Sequence, residues 1–99
     1  MTLNLFEAAR QGHLERLEQL LATHPEGPTA CAASRDADDC TALHWAALNN
    51  HLAACTLLIE TGHADVNATG GELVATPVHW AARSGHVYIV ALLVRHGAD

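Results

Sequence analysis

The segment Thr41-Ala42-Leu43-His44-Trp45-Ala46-Ala47 returns thirty-five residues later as Thr76-Pro77-Val78-His79-Trp80-Ala81-Ala82. An internal repeat at such a distance restricts a chain to a stack of like units, each burying its apolar face on the next. The match runs on. Leu48-Asn49-Asn50-His51 aligns with Arg83-Ser84-Gly85-His86, and the stretch from Leu52 to Leu58 with that from Val87 to Leu93. A worn copy, Ala8-Ala9-Arg10-Gln11-Gly12-His13-Leu14, precedes both, with Phe6 in the place of His44 and His79. Ala8 and Ala46 are 38 residues apart, so the extra residues fall in the connections around positions 24–40 and 62–75.

One unit can be read from its residues. Thr41 and Thr76 stand where an N-cap hydroxyl accepts from free helix amides. Pro77 suits the first helical position, where its missing N–H would be unpaired anyway. A short first helix is predicted to run to about Asn49 or Ser84. Asn50 and Gly85 then fill a left-handed position that asparagine and glycine tolerate best. A second helix follows with apolar residues at helical spacing, Leu52, Cys55, Leu58 and Ile59 in one copy, Val87, Val90, Leu93 and Val94 in the other. Gly62 and Gly97 are predicted to end these helices in left-handed backbone.

Thr-Pro-Val-His-Trp-Ala-Ala, followed by Gly-His, Leu-Leu and Gly-Ala-Asp, resembles the ankyrin repeat, whose signature includes T-P-L-H-x-A. The resemblance implies an all-α ankyrin-repeat solenoid of about three helix-turn-helix repeats with projecting loops. Repeat one covers about residues 3–38 and is degenerate, repeat two about 39–73, and repeat three about 74–99, in one domain over residues 1–99. The last helix is apolar nearly all round, so the array is expected to be incomplete at its C-terminus, with further repeats or self-association covering that face.

A narrower resemblance rests on the paired His-Trp motifs, the Asn49-Asn50 turn and the Gly70-Gly71-Glu72-Leu73 finger. Together these are similar to the N-terminal ankyrin domain of Asp-His-His-Cys-type protein S-acyltransferases, especially the fungal ones. That resemblance implies a substrate- or adaptor-recruiting module, on the cytosolic face of Golgi or endosomal membranes if the parent is such an enzyme. It also implies groove positions at Asn49 and Trp80. No Asp-His-His-Cys sequence occurs here, so this chain by itself is expected to be no enzyme. The alternative is a free-standing ankyrin adaptor unrelated to acylation.

Composition narrows the partners. Five arginines and no lysine face eleven acids, for a formal charge of −6, which argues against a nucleic-acid surface and permits basic or apolar peptides. No apolar run approaches the roughly 20 residues of a membrane helix, and the N-terminus shows no signal-peptide pattern, so a cytoplasmic protein without membrane insertion is expected. Cys31, Cys40 and Cys55 include no C-x-x-C pair and are expected as reduced thiols.

Eight histidines invite a metal, but the repeat explains most of them. His44 and His79 are expected to bond their own threonines, and His13, His51 and His86 to support the turn between the helices. Side chains at equivalent places in successive repeats are about 10 Å apart and do not converge on one ion. No metal and no cofactor are expected. Two roles are open to Trp45 and Trp80: packing between neighbouring first helices, or clamping an extended protein or peptide segment on the concave groove. Leu48, Asn49, Arg83 and Ser84, which follow the alanine pairs, are the other candidate partner-binding residues, with the loop fingers (Asp36, Asp38, Asp39 and Glu72) beside them.

Overall fold

Each first helix is started by its own side-chain cap. The computed structural model describes residues 3–98, so Met1, Thr2 and Asp99, the last residue of the Gly-Ala-Asp match in repeat three, lie outside the described residues. In repeat one, Asn4 Oδ1 accepts from the Glu7 amide (2.9 Å) and opens α1, Leu5–Gln11. The second helix of that repeat is α2, Leu14–Thr23, and a further helix, α3, spans Pro28–Ala33. Repeat two holds α4, Ala42–Leu48, and α5, Leu52–Glu60; repeat three holds α6, Pro77–Arg83, and α7, Val87–Arg95.

Thr41 and His44 close a reciprocal cap on α4. The Thr41 N–H donates to His44 Nδ1 (3.2 Å), and the His44 amide donates back to Thr41 Oγ1 (3.4 Å). Thr76 and His79 repeat the arrangement on α6, with Pro77 in the first turn. Left-handed backbone follows at Gly12 (φ 70°), Asn50 (φ 62°) and Gly85 (φ 75°), as the aligned turns predict.

The helices form two layers. α1 packs on α4 and α4 on α6, while α2 packs on α5 and α5 on α7. Ala8, Ala9, Ala46, Ala47 and Ala81 are fully buried between the first helices, where a methyl group lets neighbouring backbones approach closely. Leu17, Leu21, Leu43, Leu58, Ile89 and Leu93 fill the space between the layers. Each such side chain contributes about 1.5–3 kcal/mol on burial.

Three expectations are corrected. The first long connection is no simple projecting loop, because α3 packs on α2 and buries Cys31 and Ala32. Gly62 is not left-handed; His63 takes the positive φ (50°) instead. A Cβ on Gly62 would lie 2.7 Å from the Leu58 carbonyl oxygen and 2.8 Å from Ala32 Cβ, so glycine is needed there for closeness, not for φ. The histidines after the turn act between repeats. His51 Nε2–H donates to the Arg10 carbonyl (2.8 Å) and His86 Nε2–H to the Leu48 carbonyl (3.0 Å), each at the end of the preceding first helix. His13 instead accepts from the Arg16 amide at the start of α2.

Repeat three is open on its outer side. Ile59 is 7% exposed, whereas Val94, at the same place in α7, is 56% exposed. His44 and Ala47 are buried, whereas His79 and Ala82 are exposed. Cys31, Cys40 and Cys55 are buried free thiols.

Candidate functional site

The residue after the motif histidine projects from the first helix toward the fingers, and in repeats two and three it is tryptophan. Trp45 and Trp80 meet edge to face, ring centroids 5.5 Å apart at 80°, a favoured aromatic geometry. Trp80 also lies against the His44 ring at 5.0 Å. Both indoles are half-buried, so packing and an open face coexist in each.

The two rings differ in how they are held. Trp45 Nε1–H donates to Asp36 Oδ2 (2.7 Å), and the Arg10 guanidinium carbon lies 4.5 Å from the ring centroid. Asp36 Oδ1 in turn accepts from the Asp38 and Cys40 amides (3.0 and 2.9 Å). Burial pushes the Asp36 carboxyl up, but the bonds from Cys40, Trp45 and Asp38, with Arg10 nearby, outweigh it and hold its pKa below the ordinary value. Trp45 is therefore fixed by protein groups. Trp80 Nε1–H has no hydrogen-bond partner among the described residues and is the free polar handle of the pair.

The fingers stand over these rings. In the second, Gly70 and Ala75 pair across a tight loop, with amide-to-carbonyl distances of 2.9 and 3.1 Å. Arg35 ties the two fingers by donating to the carbonyls of Asp39 (2.8 Å) and Thr69 (2.5 Å). Gly70 passes so close to the first finger that a Cβ would lie 2.6 Å from the Asp39 carbonyl oxygen. His44 fixes the second finger's root: its Nδ1 accepts from Thr41, which leaves Nε2–H to donate to the Ala75 carbonyl (2.9 Å).

These elements enclose an open groove of about 810 Å³. Trp45 and Trp80 form its floor, Leu48, Arg83 and Ser84 its wall at the helix ends, and Asp38, Asp39, Glu72 and Leu73 its wall at the fingers. A family model of three copies of ankyrin repeats matches residues 5–99. The chain belongs to the ankyrin-repeat family.

Relatives of this ankyrin array carry a more specific name. It is 48% identical over 74 residues to palmitoyltransferase akr1 of Schizosaccharomyces pombe, covering 75% of this chain and 11% of that protein. It is 46% identical over 96 residues to palmitoyltransferase akr1 of Neurospora crassa, covering 97% of this chain and 12% of that protein. The chain thus spans about a tenth of the length of the curated relatives it matches. Among the described residues no helix is long and apolar enough to cross a membrane.

Five of the six residues singled out in the sequence, Trp45, Leu48, Trp80, Arg83 and Ser84, line the ankyrin groove. Asn49 does not join them: it caps the end of α4, and its Nδ2 donates back to the Trp45 carbonyl (2.8 Å). The structure adds Cys40, Gly71 and Leu73 to the lining. It also adds Asp36 beneath it as the acceptor for Trp45.

Burial sets the protonation of two groups beside the groove. Burial, reinforced by Asp36, Asp38 and Asp39, pushes the Cys40 thiol up and away from the thiolate. His44 is fully buried, and desolvation holds it below the ordinary histidine range, as a neutral ring bridging α4 to the finger. Among the described residues no three His, Cys, Asp or Glu side chains are grouped to hold a metal ion.

Proposed function

We propose that this ankyrin array is a protein-interaction module that holds an extended peptide in the groove between the fingers. The carrying observation is the contrast between the tryptophans: Trp45 is bonded and pinned, while Trp80 lines the groove with a half-buried ring whose indole N–H has no hydrogen-bond partner among the described residues. Aromatic rings held rigidly at the centre of a concave surface supply much of the energy of such interfaces. The akr1 palmitoyltransferases among its relatives support a finer role, recruitment of substrates or adaptors for protein S-acylation. Work at the cytosolic face of Golgi or endosomal membranes belongs to that role. The acyl-transfer step itself lies outside this chain, which contains no Asp-His-His-Cys sequence.

The test is a peptide selected from a random library on the 99-residue chain. Trp80→Ala should abolish its binding with helicity unchanged by circular dichroism. Unchanged affinity would refute the groove.

A second surface has its own observation. The residues of repeat three that correspond to buried residues of repeat two, His79, Ala82 and Val94, are exposed together. That face is shaped to take another ankyrin helix pair or a second copy of this chain. Sedimentation of the 99-residue chain should show self-association that Val94→Glu removes; a monomer at all concentrations speaks against the second-copy form.

A further inference from the structure

The finger wall of the groove carries negative charge that the described residues balance only in part. Asp39 is partly balanced by Arg35, 3.6 Å away, whose guanidinium is already committed to the carbonyls of Asp39 and Thr69. The carboxylates of Asp38 and Glu72 make no hydrogen bond or ion pair among the described residues. Both flank the groove, one from each finger. At the opposite wall stands Arg83, in the last turn of α6, also unpaired by any described side chain. The groove therefore has an apolar floor, a negative finger end and a positive helix end.

From this arrangement we infer that the groove selects peptides in which an apolar residue is flanked by a lysine or arginine, and binds them in one direction. The inference stands on the peptide-binding function of the groove. The apolar side chain sits on the two indoles, the cation reaches Asp38 and Glu72, and a carboxylate or carbonyl oxygen faces Arg83. The seven residues of α6 span about 10 Å at ~1.5 Å each, the reach of about three extended residues at ~3.3 Å each. The cation is accordingly placed about three residues from the group that meets Arg83. A chain of net charge −6 also draws cationic segments by its overall field, which speeds encounter more than it tightens the complex.

The experiment selects peptides from a random library on the 99-residue chain, then measures one synthetic peptide and its Lys→Gln or Arg→Gln form against wild type and the Asp38→Asn/Glu72→Gln double variant. Those two carboxylates make no hydrogen bond or ion pair among the described residues, so the variant should match wild type in circular dichroism and in unfolding. The selected peptides should carry a lysine or arginine within about four positions of an apolar anchor. Removing either the cation or the two carboxylates should weaken binding about five- to tenfold at low salt, and removing both no further. High salt should erase most of the difference. Peptides that need Trp80 but show no charge preference, and bind the double variant equally, would overturn the inference and leave the groove standing. Peptides indifferent to Trp80→Ala would remove both.

Discussion

Asp36 is the residue on which the floor of the groove depends. Its carboxylate collects two backbone amides of its own finger and the indole N–H of Trp45, so one side chain shapes the finger and locks a ring nine positions on. Hydrogen bonds to an ionised acceptor contribute about 1.5–3 kcal/mol each. Trp45→Phe should therefore destabilise the chain by about 2 kcal/mol in urea unfolding, whereas Trp80→Phe, which gives up no protein hydrogen bond, should stay close to wild type. The same groups set the acid response. His44 is held below its ordinary value of 6.5, so the unfolded chain takes up its proton first, and stability should begin to fall as pH drops below about 6.5. Asp36 is held below its ordinary value of 3.8, so its contribution is complete above that pH and is lost as pH falls further. Trp45→Phe should flatten this second, lower limb of the pH–stability curve.

At the scale of the helix pair, the same motif histidine does different work in two repeats. His44 is buried and bridges its own cap to the Ala75 carbonyl of the next repeat's finger. His79 makes the cap alone and is exposed. His44→Ala should cost about 3 kcal/mol, from the lost buried volume and an unpaired carbonyl, and His79→Ala about 1 kcal/mol, the value of a cap. Equal costs in chemical unfolding would mean that the bridge to Ala75 contributes nothing. The caps, Pro77, and the left-handed Asn50 and Gly85 were legible in the sequence because each is a local preference written in one or two residues. Helix α3 was not legible. Pro-Thr-Ala-Cys-Ala-Ala is too short for an apolar period, and it is held by Cys31 and Ala32 against α2. The role of Gly62 was not legible for a related reason: besides the Leu58 carbonyl four residues back, its close neighbour is Ala32 of α3, which only the fold brings within 3 Å of a Cβ.

Across the whole molecule, the repeats place one tryptophan beside the next and one finger beside the next, so the groove exists only because the units stack. The floor was readable as a pair of equivalent positions in two copies of one motif. The asymmetry between them was not, since Asp36 and Arg10 reach Trp45 from outside its own repeat helix. That asymmetry is the core of the functional account. The most direct test follows the two indole N–H resonances by proton–nitrogen correlation NMR as a selected peptide is added. The Trp80 indole N–H should shift strongly, with the amides of Gly71, Glu72 and Arg83, while the Trp45 indole, held by Asp36, moves little. Shifts confined to α2, α5 and α7 on the opposite layer, with Trp80 unmoved by a peptide that binds, would contradict it.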